Sequence, residues 1–322
     1  MAMTEQQMPQ QDFLQEYQAK KTMKKTFSKI GWSYFWMIAI WLASLFFVSL
    51  AFSIMELMGI PIIAFYDRYL LVFNELGLTF GIIAAMLALR GLPKYEVQGE
   101  KIGVGRFLKY ILIGLAIGLI GNVIGSTILS FWNGATGNEA GAEVTELFTG
   151  SDYWILLLMV GIFGPFLEEF FFRKILIDHI RQYGELTCIL TSGLLFGLFH
   201  GNFTQFFYAF GLGALFAYVY LRSGSLMLTF LLHAIFNIVS GVLLTVLEDM
   251  GEAAVMAYSG IYLILVLVGA VCLFVGLHRL KLRKGEVAIS RKACVSSAVW
   301  NSGIIVSVVC MLIFMAMSLF TE

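Results

Sequence analysis

The chain has 322 residues, of which 59% are hydrophobic and 13% charged, and its acidic and basic side chains are equal in number. Soluble domains carry about a quarter charged residues, so the composition excludes an ordinary soluble protein, and the zero net charge argues against nucleic-acid binding. The apolar residues are gathered in blocks of about 20, the length at which a helix crosses the roughly 30 Å hydrocarbon layer of a bilayer. The sequence therefore predicts an all-α polytopic membrane protein, integral to the bilayer.

Nine apolar blocks follow a polar, lysine-rich amino-terminal segment. The blocks cover about residues 32–58, 69–89, 107–132, 153–180, 186–199, 203–221, 226–247, 258–277 and 295–320. They predict about 8–9 transmembrane helices, and the lower number applies if one block is re-entrant.

The loops between the blocks alternate in charge. The loops after the second and eighth blocks are basic, whereas the loop before the fourth block carries Glu139, Glu143, Glu146 and Asp152. Lysine and arginine are concentrated in the cytosolic loops of membrane proteins. The alternation therefore places the amino terminus in the cytosol, at the plasma membrane if the protein is bacterial.

Two adjacent carboxylates interrupt the fourth apolar block. Glu168 and Glu169 lie in a run that is otherwise apolar, and Arg173 follows them. An ionised carboxylate within a membrane is costly unless it is paired or faces a polar cavity. Glu169 and Arg173 are spaced i,i+4 with the acid first, which favours an ion pair and leaves Glu168 free to face a cavity. The sequence does not decide between this assignment and its reverse, and ion pairing between helices is the purely structural alternative.

Three further polar residues fall in later apolar blocks. His200 ends the fifth block, while His233 and Asn237 share one face of the seventh at i,i+4 spacing. At 1.5 Å per residue, these residues and Glu168 lie roughly 14–21 Å from the cytosolic ends of their helices, so we expect them to converge. A His/Asn pair can hold helices together, and it can also supply two donors to a developing oxyanion.

Taken in order, these motifs resemble a known family. Their order and spacing are similar to the motifs of the CPBP family of intramembrane proteases. The residues that carry the resemblance are Glu168-Glu169-x-x-x-Arg173, Phe196-x-x-x-His200 and His233-x-x-x-Asn237. That family includes the type II CAAX prenyl endopeptidases and the bacterial Abi group, which is linked to bacteriocin processing and self-immunity. The resemblance covers about residues 150–245. It implies a catalytic core of four helices at 150–247. The polarity and charge of the rest of the chain predict a cytosolic segment at 1–29, amino-terminal transmembrane helices at 30–149 and carboxy-terminal transmembrane helices at 248–322.

The resemblance implies an endopeptidase and a role for each site residue. Glu168 and His200 would activate a water for attack on a peptide carbonyl, Glu169 and Arg173 would order the site, and His233 with Asn237 would hold the oxyanion. Peptide hydrolysis needs a base beside the water and donors beside the carbonyl oxygen. The expected partners are the lipid bilayer and a peptide or lipidated-peptide substrate.

The metal content is left open by the sequence. Members of the family are often classed as metalloproteases, and if zinc is bound, its ligands would be Glu168, His200 and His233, with a water in the open position. The chain contains no HExxH motif, so these ligands would have to come from three separate helices. We favour metal-free, glutamate-driven hydrolysis, which requires no cofactor.

Two other functions are compatible with buried polar residues. A proton-coupled transporter would use the acids and histidines as a relay, and its ion-dependent flux would survive loss of one donor. A protease would instead lose cleavage on replacement of Glu168 or His200. A non-catalytic membrane scaffold has no need of so many polar side chains at a matched depth.

Overall fold

The apolar blocks form helices in the computed structural model, which describes residues 10–137, 140 and 152–320. In chain order the helices are α1 (Gln10–Leu57), α2 (Ile63–Arg68), α3 (Leu70–Ala88), α4 (Val104–Thr136), α5 (Tyr153–Tyr183), α6 (Glu185–Phe199), α7 (Phe203–Ser223), α8 (Leu226–Met250), α9 (Glu252–His278), α10 (Arg291–Val299) and α11 (Ser302–Met317). The described residues contain no strand. Helices satisfy their own backbone groups, as the hydrocarbon layer requires. The predicted all-α polytopic fold is confirmed.

The number of spanning helices falls at the lower end of the prediction. Within the described residues, seven helices are long and apolar enough to cross a membrane, or eight if the bent pair α10–α11 counts as one span. The difference lies in the fifth apolar block, because α6 has 15 residues. At 1.5 Å per residue it is about 22 Å long, short of the roughly 30 Å hydrocarbon layer.

The last apolar block is broken, where the sequence predicted a continuous span. α10 and α11 meet at a 60° bend, and Asn301 lies at that bend. Its Oδ1 accepts a hydrogen bond from the backbone N–H of Ile304 at 3.0 Å, and its Nδ2 donates to the carbonyls of Ser297 and Ala298. One side chain thus caps the start of α11 and satisfies the end of α10. The last unbroken helix of this block accordingly begins at Ser302, later than the predicted start near residue 295.

The first helix is longer than the membrane is thick. α1 has 48 residues, about 72 Å at 1.5 Å per residue, and it joins the lysine-rich segment to the first apolar block without a break. Met23 and Phe27 of that segment are fully buried, so the extension packs against the rest of the bundle. Part of the predicted amino-terminal segment and of the predicted acidic loop lies outside the described residues. These positions are residues 1–9, Glu139, Glu143 and Glu146.

Other helices pack around α5, which carries the paired carboxylates. The Tyr34 ring of α1 packs against Phe171 and Phe172 of α5, with centroids 6.5 and 6.3 Å apart. The Tyr34 hydroxyl donates to the Leu195 carbonyl of α6 at 2.8 Å, and Ser192 of α6 donates to the Phe172 carbonyl at 3.0 Å. α3, α7 and α8 also contact α5. Glu169 and Arg173 of α5 are therefore enclosed by protein.

α4 and α7 approach each other closely at a glycine. The glycines of α4 are spaced as small residues are at helix interfaces in membranes. A Cβ added to Gly121 would lie 2.4 Å from the Cα of Tyr208 in α7, whereas one added to Gly114 would meet only the side chains of Leu212 and Leu215, at 3.6 and 3.7 Å. The two glycines therefore differ in the space available to a methyl group.

We expect Gly121→Ala to destabilise the protein and Gly114→Ala, its matched control on the same helix, to be tolerated. The methyl group at 121 forces the α7 backbone away, and overpacking of this kind costs about 1–3 kcal/mol. Thermal unfolding of the purified variants in detergent measures the difference. Equal midpoints for the two variants would contradict the close approach of α4 and α7.

Candidate active site

The backbone around the paired carboxylates departs from a regular α-helix. Within α5, π-helical turns at Met159–Phe163 and Phe170–Ile175 flank the α-helical stretch Gly164–Glu169. Pro165 lies in this stretch and has no N–H to donate, so the regular hydrogen-bond ladder cannot run through it. In α8, another π turn follows Asn237 directly. Such turns are rare and occur frequently at functional sites, and these border predicted site residues.

Glu169 and Arg173 form the ion pair that their spacing predicts. Arg173 Nε and Nη2 donate to the two carboxylate oxygens of Glu169 at 2.9 and 3.0 Å, and both side chains are fully buried. The remaining nitrogen, Nη1, donates to Ser192 Oγ at 2.5 Å. The guanidinium also faces the Phe196 ring, 5.1 Å from its centroid. The bidentate, charge-assisted geometry is the strong form of this interaction, and it neutralises Glu169 without solvent.

Glu168 lacks such a partner. Its Oε2 is buried and makes no hydrogen bond within the described part of the chain. His233 Nε2 lies 3.8 Å from this oxygen, which is beyond hydrogen-bonding distance. The Glu168 side chain keeps 16% of its surface exposed, whereas Glu169 has none. Between the two assignments that the sequence leaves open, the structure pairs Glu169 with arginine and leaves Glu168 facing the site.

His233 and Asn237 both point from α8 to α5. His233 Nδ1 lies 3.1 Å from Glu169 Oε1, and because a carboxylate only accepts, Nδ1 carries the hydrogen of this bond. Asn237 Nδ2 donates to the carbonyl of Val160, within a π turn of α5, at 2.9 Å. An amide group has two N–H donors, so this bond leaves one for another acceptor. The two residues therefore fasten α8 to α5 and still present polar atoms at the site.

His200 ends α6 with its ring fixed by a backbone bond. Its Nδ1 is 2.9 Å from the Phe196 carbonyl, which can only accept, so Nδ1 bears the hydrogen and the neutral ring has its lone pair on Nε2. The Phe196 ring contacts both imidazoles, with centroids 5.0 Å from His200 and 5.5 Å from His233. The two histidines are close enough to interact electrostatically. His200 thus presents a hydrogen-bond acceptor on the side of the site shared with His233.

Three residues at the site were not singled out by sequence reasoning. Ser192 completes the hydrogen bonding of Arg173. Tyr208 lies beside His200, with ring centroids 6.3 Å apart. Glu75 of α3 is buried, and its carboxyl lies against Gly164, one helical turn before Glu168. Glu75 is an acid inside an apolar block, so the rule that drew attention to Glu168 could have found it. Serine and tyrosine are too common in membrane helices to give such a signal.

The zinc ligands that the resemblance implies are not gathered into a ready metal site. Across the described residues, no group of three or more His, Cys, Asp and Glu side chains is placed to hold a metal ion. His233 uses Nδ1 for Glu169 and His200 uses Nδ1 for a carbonyl, so each neutral ring keeps Nε2 as the nitrogen that could ligate a metal. If zinc were bound, these two nitrogens and Glu168 would hold it. No step of the chemistry below is routed through a metal.

A comparison with protein families finds a match in the middle of the chain. Residues 150–239 match the family described as type II CAAX prenyl endopeptidase Rce1-like. The resemblance to CPBP proteases that the motifs predict is confirmed for this region. All six predicted site residues lie inside the matched region, whereas Glu75 lies outside it.

Two curated relatives are similar to this chain over part of its length. The putative membrane peptidase YdiL of Bacillus subtilis (strain 168) is 24% identical over 158 residues, which are 48% of this chain and 64% of the relative. The membrane-embedded CAAX protease MroQ of Staphylococcus aureus (strain USA300) is 25% identical over 138 residues, 40% of this chain and 55% of the relative. The chain thus spans less than two thirds of each relative it matches. No solved structure gives a significant match.

Proposed function

We propose that this protein is an intramembrane endopeptidase in which Glu168 activates the attacking water. The observation that carries the proposal is the contrast between the two adjacent acids. Glu169 is neutralised by Arg173 in a buried bidentate pair, whereas Glu168 keeps an oxygen without a partner near His233. A general base has to reach the water that it deprotonates, and Glu168 is the acid that meets this condition.

In the proposed reaction Glu168 takes a proton from the water as the water oxygen bonds to the peptide carbonyl carbon. His200 Nε2 accepts a hydrogen bond from the same water and so orients it. The carbonyl oxygen becomes an oxyanion, held by His233 and by the second amide hydrogen of Asn237. Collapse of the tetrahedral intermediate breaks the C–N bond, and Glu168 returns its proton to the leaving amine.

The donor role of His233 carries a chemical condition. Its Nδ1 hydrogen is directed at Glu169, so Nε2 donates only when the ring is an imidazolium. Asn237 needs no change of protonation. Glu169 and Arg173 therefore serve the proposed reaction indirectly, by holding the His233 ring in place.

The proposed substrate is a membrane-associated peptide. MroQ is named as a CAAX protease and YdiL as a putative membrane peptidase, which supports a peptide substrate. We propose either a prenylated CAAX-type peptide or an unmodified peptide of the sort processed in bacteriocin maturation or self-immunity. We place the amino terminus in the cytosol, following the distribution of positive charge in the loops.

Cleavage by the purified full-length chain in detergent tests the function, with prenylated CAAX peptides and matched unprenylated peptides offered side by side. We expect a peptide bond to be hydrolysed, and we expect the rate to survive exhaustive chelation because Glu168 and His200 activate the water without a metal in the proposed reaction. Loss of activity on chelation that zinc restores would overturn the metal-free version. Ion flux through the chain without any cleavage would favour the transporter instead.

A further inference from the structure

Glu75 is a buried acid whose partners do not explain its position. Its residue surface is 6% exposed, in the middle of α3. The structure gives it no salt bridge within the described residues, and its Oε2 is buried there without a hydrogen bond. A carboxyl group in such a place is costly. A purely structural role predicts a basic partner, as Glu169 has, and Glu75 has none in the described part of the chain.

A short chain of hydrogen bonds fixes the orientation of Glu75. Asn74 Nδ2 donates to Glu75 Oε1 at 3.2 Å, and Trp41 Nε1 of α1 donates to Asn74 Oδ1 at 3.1 Å. The indole has only a donor, so it holds the Asn74 amide with its N–H groups turned to Glu75. One carboxyl oxygen is thereby anchored, and the other is left without a hydrogen bond among the described residues.

The anchored carboxyl reaches the face of α5 that carries Glu168. A Cβ built on Gly164 would lie 3.1 Å from Glu75 Oε1, so the carboxyl packs directly against the backbone of this glycine. Gly164 and Glu168 are spaced i,i+4 and share one side of their helical turn. Two carboxyl groups from two helices thus border the same turn of α5, each with its Oε2 unpartnered within the described residues.

We propose that Glu75 is a positioning residue: its carboxyl, anchored by Asn74 and packed against Gly164, holds the helical turn that aims the Glu168 carboxyl at the water. The two hydrogens of the water remain for Glu168 and His200, and Glu75 acts on the base through the turn of α5 that carries it. This inference rests on the proposed peptidase function. It extends the site beyond the region that matches the family, because Glu75 lies outside residues 150–239.

The test compares the steady-state kinetics of wild type, Glu75→Gln, Glu75→Leu and the control Glu248→Gln, all as full-length protein in detergent. Glu248 is an exposed acid on α8, so its variant reports the effect of losing a carboxylate elsewhere. A misplaced reacting group costs up to about 100-fold in rate, so we expect Glu75→Leu to lower kcat by about 10- to 100-fold with KM nearly unchanged. Glu75→Gln retains an oxygen acceptor and should recover part of the loss.

Thermal unfolding separates positioning from structural support. Leucine removes an unpartnered buried carboxyl, so Glu75→Leu should melt at or above the wild-type temperature while remaining slow. A lower melting temperature with kcat unchanged, or a change confined to KM, would overturn the inference. Wild-type protein that hydrolyses no peptide would overturn the proposed function and this inference together. Wild-type cleavage with kcat unaffected by either Glu75 variant would overturn the inference alone.

Discussion

Glu168→Gln is expected to abolish peptide cleavage while leaving the fold intact. Loss of a general base costs about 10²–10⁴-fold in rate, and glutamine keeps the size of the side chain while it cannot take a proton from water. Because Glu168 Oε2 makes no hydrogen bond within the described residues, the amide gives up no interaction that the carboxylate makes there. The rate of peptide hydrolysis and the melting temperature, measured on the same preparation, check both parts of this expectation.

Replacing the neighbouring acid, Glu169, tests which of the two adjacent acids is the base, a question that the sequence leaves open. Glu169→Gln weakens the bidentate pair with Arg173 and the bond to His233, so it should lower both the melting temperature and the rate. Glu168→Gln should lower the rate alone. If Glu168→Gln kept more than half of the wild-type rate, or if the two variants exchanged these effects, the assignment of Glu168 as the base would be wrong.

The positions of the helices could be predicted from the sequence because hydrocarbon thickness sets the length of an apolar block. Each apolar block corresponds to a helix or helix pair within the described residues. Two blocks do not form one unbroken, full-length span, and in both the cause is local and is not measured by hydropathy. α6 is cut short where Gly201 adopts a positive φ of 67°, and the last block breaks at Asn301, whose side chain bonds to both neighbouring helices.

The ion pair at the site could be predicted, because i,i+4 spacing of Glu169 and Arg173 is a local property of one helix. The partners that come from other helices could not. Ser192 meets Arg173, and Asn237 bonds to a carbonyl in a π turn. The direction of a side chain after a π turn depends on an extra residue in that turn, which polarity patterns do not reveal. The shared environment of Glu75 and Glu168 depends in the same way on how α3 packs against α5.

Arg173→Leu is expected to be the most destabilising single substitution at the site. The guanidinium is fully buried, where it makes two bonds to Glu169 and one to Ser192. Removing one partner of a buried ion pair leaves an uncompensated charge, at a cost of about 3–5 kcal/mol. Arg173→Lys restores the charge but not the planar, bidentate geometry, so it should recover only part of the stability. Thermal unfolding in detergent and the yield of folded protein measure the loss.

The double variant Glu169→Leu with Arg173→Leu distinguishes a buried charge from lost packing. Two leucines leave no unpaired charge, and replacing a whole buried ion pair by apolar residues is often neutral or stabilising. The double variant should therefore melt well above Arg173→Leu, with a large coupling between the two positions. Its cleavage should stay low, because His233 Nδ1 then has no carboxylate to hold its ring beside Glu168. If the double variant were as unstable as the single one, packing would account for the effect, and full activity in the double variant would refute the orienting role of the pair.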